Sequence, residues 1–437
     1  MMHADLEVHL YGNVAATLSY LGPLAYKLTY RREWQQGGGI AISHSLPLAQ
    51  TIHTGRVVSD FLDNLLPDAS SVREEWARQS GLPDAEPYGL LAVHGADVAG
   101  ALELYPVKAG ARTDGHLTPV PDEQIAARIL AIRENRPIPT VTGSGPGQFS
   151  LGGAQGKFAL AKGEGGWNEP SGIHPSTHIF KPQVVGLVDA ELVEHVIMSS
   201  LPLLGLAAAP TTISTFAGEH ALKVERYDRY TADGVVGRIH QEDLAQALGV
   251  PRLQKYEKDG GPNYRRILRL LGRVTNQEDA EATKQRFVRS LIFSWFMLNT
   301  DAHAKNYSLM LLPERSLLAP LYDVSSFLPY VKPREIGSRG MLEAFNGTKL
   351  SMRIADSYEA GSMTAFEWRS VAREAKIDAD ATLVWAAGMV SAAPGIVQSI
   401  AAGLPSQFQT TAVELLVERV AIRSEQIARV LAFESRL

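Results

Sequence analysis

The hydrophobic repeat of this chain changes period near Tyr230, and that change limits its fold more than any single motif does. Before it, apolar residues alternate with polar ones. Leu6, Val8 and Leu10 alternate with Glu7 and His9 ahead of Gly12-Asn13, which predicts an opening hairpin. Further strands are expected to close at Leu102, Leu104 and Tyr105, and to run through Phe158 and Leu160, through His178 to Pro182, and through Ala221 to Tyr227. After Tyr230 the pattern is helical. Tyr264, Ile267, Leu268 and Leu271 recur at i, i+3, i+4 and i+7, and Phe287, Leu291, Trp295 and Leu298 extend the rule directly into Asn299. Helices are also expected over 365–375, over 382–402 with a break near Pro394, and over 413–433. The chain therefore reads as α+β, a β-rich part followed by a helical one.

Punctuation divides the first part further. The segment from Ser59 to Pro67 reads as a short helix stopped by its proline, and Lys108 to Gly115 has the composition of a linker. Pro121-Asp122-Glu123 opens an amphipathic helix bearing Ile125, Ile129 and Ile132, and a second helix is expected from about Asp189 to Leu201, ended by Pro202. Three regions follow: 1–108, 109–229 and 230–437.

Composition narrows the chemistry. Zero Cys excludes disulfides, thiolate metal sites and a cysteine nucleophile. A net charge of −5 argues against extended nucleic-acid binding by the chain itself, although a basic partner could bring it to DNA. The first ten residues are too mixed for a signal peptide, and no window offers about 18 uninterrupted apolar residues, so a cytoplasmic protein with no membrane part is expected.

The segment at the end of the long helix, Asn299-Thr300-Asp301-Ala302-His303-Ala304-Lys305-Asn306, suits phosphoryl transfer. In the protein-kinase signature a catalytic-loop Asp precedes a metal-binding Asn as Asp-x-x-x-x-Asn, and a later Asp holds the nucleotide's magnesium. Asp301 and Asn306 have that spacing, and Asp323 of Leu321-Tyr322-Asp323 is placed to be the second metal ligand. Moving a γ-phosphoryl group requires neutralised polyphosphate charge, a fixed Mg²⁺ and an aimed hydroxyl. A carboxylate takes the acceptor's proton, and amide and carboxylate oxygens suit a hard ion. Lys305 and His303 are candidates for phosphate contact. In the competing reading Asp301 caps a turn and His303 is a surface residue. Zinc lacks a completing Cys or HExxH pair. Asn299-Thr300 stands where common protein kinases have His-Arg.

Gly143 to Lys157 is the most glycine-dense stretch and is expected to cradle phosphates, although it meets neither GxGxxG nor the Walker pattern. A flexible connection is the alternative. Of two lysines available for the phosphates, Lys157 and Lys181, the second is preferred because it sits inside an apolar strand, where an ammonium needs a partner. Glu194 is a candidate for that partner. Backbone groups of Glu225 and Tyr227 could read adenine while Asp228 meets the ribose.

Together these segments resemble the HipA-type serine/threonine kinases, toxins of type II toxin–antitoxin pairs. The likeness spans nearly the whole chain. It rests on Ser43 to Leu48, Phe61 to Asp68, Ser150 to Lys157, Thr177 to Lys181, Val224 to Arg229, His240 to Asp243, Asp301 to Ser308 and Leu318 to Asp323. Gly156 stands where an acidic residue is common in that family. The resemblance implies a bilobal protein-kinase-like fold with an added β-rich N-terminal subdomain and a helical C-terminal lobe. It implies ATP and Mg²⁺ as cofactors, a small DNA-binding antitoxin of the HipB type as partner, and a protein of the translation machinery, such as an aminoacyl-tRNA synthetase, as substrate. Asp301 would be the catalytic base, Asn306 and Asp323 the metal ligands, and Lys181 the phosphate lysine. Gln241 and His303 would lie near the nucleotide, Glu225, Tyr227 and Asp228 on its base and ribose, and Gly152, Gly153, Ala154 and Gln155 in the phosphate loop. Ser150 matches that family's autophosphorylated serine, where added negative charge would displace the loop from ATP. Other readings keep the fold but phosphorylate a small molecule, or keep only a corepressor role beside the DNA-binding partner.

Overall fold

A computed structural model of the chain describes residues 4–107, 115–139, 155–183, 186–333 and 337–432. It divides into two compact units. The first comprises residues 1–182, 214–255 and 308–319; the second comprises 183–213, 256–307 and 320–437. Neither is one continuous stretch.

The first unit opens with β1 (Leu6–Leu10), β2 (Asn13–Gly22) and β3 (Ala25–Tyr30). The expected first turn is present, with Tyr11 and Gly12 both at positive φ (52° and 76°). Helix α1 (Arg32–Gln36), β4 (Ile52–Thr54), α2 (Arg56–Asn64), α3 (Ser70–Gln79), α4 (Pro87–His94) and β5 (Leu102–Pro106) follow, and the sheet order is β4-β3-β2-β1-β5. Three charged or amide groups from Phe61 to Asp68 dock this part onto residues 250–255. Asn64 donates Nδ2 to the Val250 carbonyl at 2.9 Å, Asp63 pairs with Arg252 at 2.8 Å, and Asp68 pairs with Lys255 at 2.9 Å.

A second sheet contains β6 (Leu117–Pro119), β7 (Phe158–Gly163), β8 (Gly166–Pro170), β9 (His178–Lys181), β10 (Thr211–Phe216) and β11 (Glu219–Glu225), in the order β10-β11-β9-β7-β8-β6. Helix α5 (Asp122–Arg133) supplies Ile125 and Ile129 to a core with Phe158, Leu160, Phe180 and Phe216, and the rings of Phe158 and Phe180 stack at 4.9 Å. Each such ring contributes ~1.5–3 kcal/mol by leaving water. Alternation then fixes Lys181. Phe180 points into this core, so its neighbour Lys181, only 3% exposed, points to the opposite face.

The second unit is helical for most of its length. It contains α6 (Ala190–Ser200), α8 (Tyr264–Val274), α9 (Gln277–Phe296), α10 (Ser338–Asn346), α11 (Ala365–Ala375), α12 (Ala379–Ala402) and α13 (Thr411–Ala432); the short α7 (Leu244–Ala247) belongs to the first unit. The region after residue 230 is not free of strands. Short ribbons at 229–238, 241–243 with 308–318, and 349–359 interrupt its helices.

Helix α12 does not break at Pro394. A proline leaves the carbonyl four residues earlier without its helical donor, and here the Ser424 hydroxyl of α13 donates to the Val390 carbonyl at 2.7 Å. That bond satisfies the carbonyl that the proline orphans. By length and composition α12 could cross a membrane; in this unit it packs on α13, α11, α6 and α9, burying Ala386, Met389, Val390, Ala393 and Val397.

Candidate active site

Helix α9 ends where the sequence pattern ends. Leu298 takes a left-handed φ of 51°, Asn299 N–H reaches back to the Ser294 carbonyl at 2.8 Å, and the Leu298 carbonyl accepts from Phe327 N–H at 3.2 Å. A non-glycine residue in that region costs about 1–2 kcal/mol, and such strain persists only where surrounding bonds hold it. The turn delivers Asp301 to the surface, with its side chain 60% exposed.

Hydrogen bonds close the loop that follows. The Asn299 side-chain oxygen accepts from Asp301 N–H at 3.3 Å, His303 N–H donates to the Asp301 carbonyl at 2.8 Å, and Asn306 Nδ2 donates to that same carbonyl at 2.7 Å. The Lys305 carbonyl accepts from the Tyr322 hydroxyl at 2.8 Å. That bond ties the loop to the residue before Asp323, which is itself left-handed at φ 54°. His303 and Lys305 are buried. Their side chains are internal parts of the loop, which disfavours a surface-histidine reading.

Asn306 and Asp323 line one small cavity of about 10 Å³ with Asn299, Ala302, Tyr307 and Tyr322. Room for a single water-sized centre also suits a small ion. Among the described residues no three His, Asp or Glu side chains converge as a metal cage. An Asp carboxylate beside an Asn amide fits Mg²⁺, which keeps waters and phosphate oxygens in its octahedron and does not need an all-protein cage. With Nδ2 engaged on Asp301, the Asn306 amide oxygen is the atom left for a cation.

A residue that sequence reasoning missed sits beside this loop. The Tyr256 hydroxyl donates to Asp301 Oδ1, and its ring stands edge-on to His303 at 4.7 Å. Tyr256 lies in a polar loop far from Asp301 in sequence, so no local pattern indicates it.

Apart from Glu194, the remaining candidates belong to the first unit. Gln155 donates Nε2 to the Pro182 carbonyl at 3.2 Å, which brings the end of the glycine-rich stretch to the end of β9 and thus near Lys181 in sequence. Ser150, Gly152, Gly153 and Ala154 lie outside the described residues. The Tyr227 hydroxyl donates to Gln241 Oε1, and burial pushes its phenol well above the ordinary range. Glu225 is exposed at the end of β11. Glu194, on α6 in the second unit, is buried.

Asp228 has a different setting from the one expected. It is 3% exposed, it accepts from Arg226 at 2.8 and 3.0 Å and from Gly100 N–H at 2.7 Å, and Arg229 stands 3.1 Å away. Asp97 completes the cluster, 2.8 Å from Arg229 and bonded to Ser176 N–H at 2.9 Å. Burial alone would raise the Asp228 carboxyl, but the two guanidiniums outweigh it and hold the group below the usual carboxylate range. With its oxygens engaged in this way, Asp228 is a strut rather than a ribose ligand.

The segments Ser43 to Leu48 and His240 to Asp243 also meet. Glu242 accepts from Ser43 Oγ and from His44 N–H at 2.8 Å, while His240 Nε2 lies 2.9 Å from the Ile42 carbonyl. Burial raises the Glu242 carboxyl to about 8 and lowers His240 to about 4.

Family models match both parts of the chain, the HipA N-terminal domain over residues 6–105 and the HipA-like C-terminal domain over residues 149–397. The chain belongs to the HipA family. A putative kinase, Y4mE of Sinorhizobium fredii, is 35% identical over 346 residues, covering 77% of each chain. The serine/threonine-protein kinase toxin HipA of Shewanella oneidensis is 29% identical over 376 residues, covering 83% of this chain and 81% of that one. HipA from the Shewanella oneidensis MR-1 toxin–antitoxin system, solved with HipB and its operator DNA, matches with a TM-score of 0.80 and 25% identity over 99% of each chain. The HipA fold, α+β and kinase-like with an added N-terminal sheet, is therefore the fold of this chain.

Proposed function

We propose that this HipA-family protein is an ATP- and Mg²⁺-dependent serine/threonine protein kinase that acts as the toxin of a toxin–antitoxin pair. One observation carries the reading: the loop that presents Asp301 is closed on itself by Asn306, and Asn306 shares a cavity wall with Asp323. A structural turn needs neither an exposed carboxylate at its tip nor a second acid beside its asparagine.

In this reading Asp301 accepts the proton of the acceptor hydroxyl, and its exposure leaves it reachable by a protein substrate. Asn306 through its amide oxygen and Asp323 through its carboxylate would hold Mg²⁺, which supplies charge neutralisation on the phosphates. Lys181 is the phosphate lysine, with Lys305 and His303 contributing from the catalytic loop. Gln155 orders the end of the glycine-rich stretch. Gln241, Tyr227 and Glu225 serve the nucleoside, and Asp228 supports them from within its ion-pair cluster. Ser150 is the site of self-phosphorylation.

The partner is a small DNA-binding antitoxin of the HipB type, by analogy with the Shewanella protein whose structure includes HipB and operator DNA. DNA is engaged mainly through that partner. The acceptor is a serine or threonine on a cytoplasmic protein of the translation machinery.

Intact-mass spectrometry after incubation with Mg²⁺-ATP tests the reading, alongside Asp301→Gln. A gain of one phosphate in the wild type alone, mapping to Ser150, is expected. No gain in a sample shown to start unphosphorylated would favour a binding-only subunit of the antitoxin–DNA complex or a small-molecule phosphotransferase.

A further inference from the structure

The contact between Tyr256 and Asp301 goes beyond the family signature, because Tyr256 belongs to none of the segments that carry it. An exposed carboxylate in water turns freely about its last torsion, and an acceptor hydroxyl arriving at such a group must first fix it. That ordering cost falls on the chemical step. In this protein the phenol of Tyr256 already holds Oδ1.

The position of that phenol is imposed by the fold on three sides. Its ring stands at 80° to His303, a residue buried inside the catalytic loop. Its main-chain carbonyl closes a tight turn, accepting from Asp259 N–H at 3.1 Å and Gly261 N–H at 2.9 Å. The next residue, Glu257, is clamped by Arg353, whose backbone N–H and Nε donate to its two oxygens at 2.7 and 2.9 Å. Lys258 Nζ lies 5.4 Å from the centre of the same ring. Tyr256 is therefore held by contacts besides the one that it makes to Asp301. His303 Nε2, at 3.7 Å from Oδ1, is too far to hold the carboxylate itself.

We infer that Tyr256 is a positioning residue for phosphoryl transfer: its phenol fixes the Asp301 carboxylate through Oδ1 and leaves Oδ2 to receive the acceptor's proton. The inference rests on the assignment of Asp301 as the base. In the step it serves, the acceptor oxygen bonds the γ-phosphorus as the bond to the ADP oxygen breaks. ADP leaves with that electron pair, and the acceptor's proton passes to Oδ2. A phenol bonded to the other carboxylate oxygen makes a charge-assisted contact that keeps the group oriented through this transfer.

Tyr256→Phe separates the hydroxyl from the ring, since phenylalanine retains the edge contact with His303. The full-length protein is assayed for ADP formation from Mg²⁺-ATP, with ATP affinity measured by calorimetry using a non-hydrolysable ATP analogue, and with Asp301→Asn run in parallel. The expected result is a fall in kcat of about tenfold to a hundredfold in Tyr256→Phe, with the affinity for the analogue and the melting temperature unchanged. A wild-type kcat in Tyr256→Phe while Asp301→Asn is inactive overturns the role of Tyr256 and leaves the base in place. An equal loss of nucleotide affinity in Tyr256→Phe also overturns it, because a positioning bond to Asp301 has no reason to alter ATP binding. Wild-type turnover in Asp301→Asn overturns the base assignment and, with it, this inference.

Discussion

Asn306 donates its side-chain amide to the backbone carbonyl of Asp301 at 2.7 Å, so the residue closes the loop through Nδ2 while the proposed Mg²⁺ role would fall to its amide oxygen. The two tasks separate by substitution. Asn306→Asp keeps an oxygen but loses the donor, and it places a carboxylate against a carbonyl. Asn306→Ala loses both. Phosphoryl transfer is expected to fall by more than a hundredfold in each, while titration with Mg²⁺ at fixed ATP shows partial recovery only in Asn306→Asp. Equal failure of both at every Mg²⁺ concentration would mean that loop closure, and not metal binding, is the residue's main contribution.

The buried cluster of Asp97, Arg226, Asp228 and Arg229 should be sensitive to removal of any one member. Taking away Arg226 leaves Asp228 and Asp97 with less compensation in a site that excludes water, and a broken buried pair costs about 3–5 kcal/mol. Arg226→Ala is expected to lower the melting temperature markedly, and Arg226→Met should do the same because shape without charge leaves the acids uncompensated. Denaturant titration of both variants checks this, and wild-type stability in either would remove the cluster from its structural role.

Glu242 sets a pH dependence whose sign follows from burial. Its folded carboxyl titrates near 8, above the ordinary value of 4.5, because burial outweighs its bonds to Ser43 and His44 and Asp243 adds like charge. The folded state then holds a proton that the unfolded chain releases. This contribution is fully present below about 4.5 and is lost as pH rises through about 8. Glu242→Gln is neutral at every pH and can still accept from His44 N–H. It should flatten the fall in melting temperature between pH 6 and 9 and stabilise the protein most at the alkaline end, by an amount on the order of a few kcal/mol. Parallel pH profiles for mutant and wild type would contradict the assignment.

Much of this arrangement is legible in the sequence because it depends on short-range periodicity. The run of Phe287, Leu291, Trp295 and Leu298 into Asn299 anticipates both α9 and the loop it delivers, and the apolar strand around Lys181 anticipates the buried lysine. The misreadings have long-range causes. Asp228 looks available in the string Val224 to Arg229, yet its fate is decided by Gly100 and by Asp97 on the far side of the unit's sequence. Pro394 reads as a helix break until Ser424, from another helix, donates to the orphaned carbonyl. Tyr256 carries no local signal, because its meaning comes only from the fold that places it on Asp301.

Lys181 offers the last test, because its burial makes an ordinary surface role untenable. An ammonium buried to this degree loses most of its hydration, a cost that proteins meet with fixed partners or a bound anion. It lies in β9, paired with Leu222 of β11 on one side, so its Cα is held by a ladder and its side chain by the surrounding packing. Lys181→Met keeps most of the aliphatic stem and deletes the charge. If the lysine serves the phosphates, affinity for ATP should fall about tenfold or more while affinity for adenosine stays near wild type, since only the polyphosphate would sense the missing charge. Lys181→Arg retains charge but requires more volume in a packed position and is expected to recover little. Calorimetric titration with ATP and with adenosine distinguishes the cases: equal weakening of both ligands would assign Lys181 to the architecture of the sheet and return the phosphate role to Lys157.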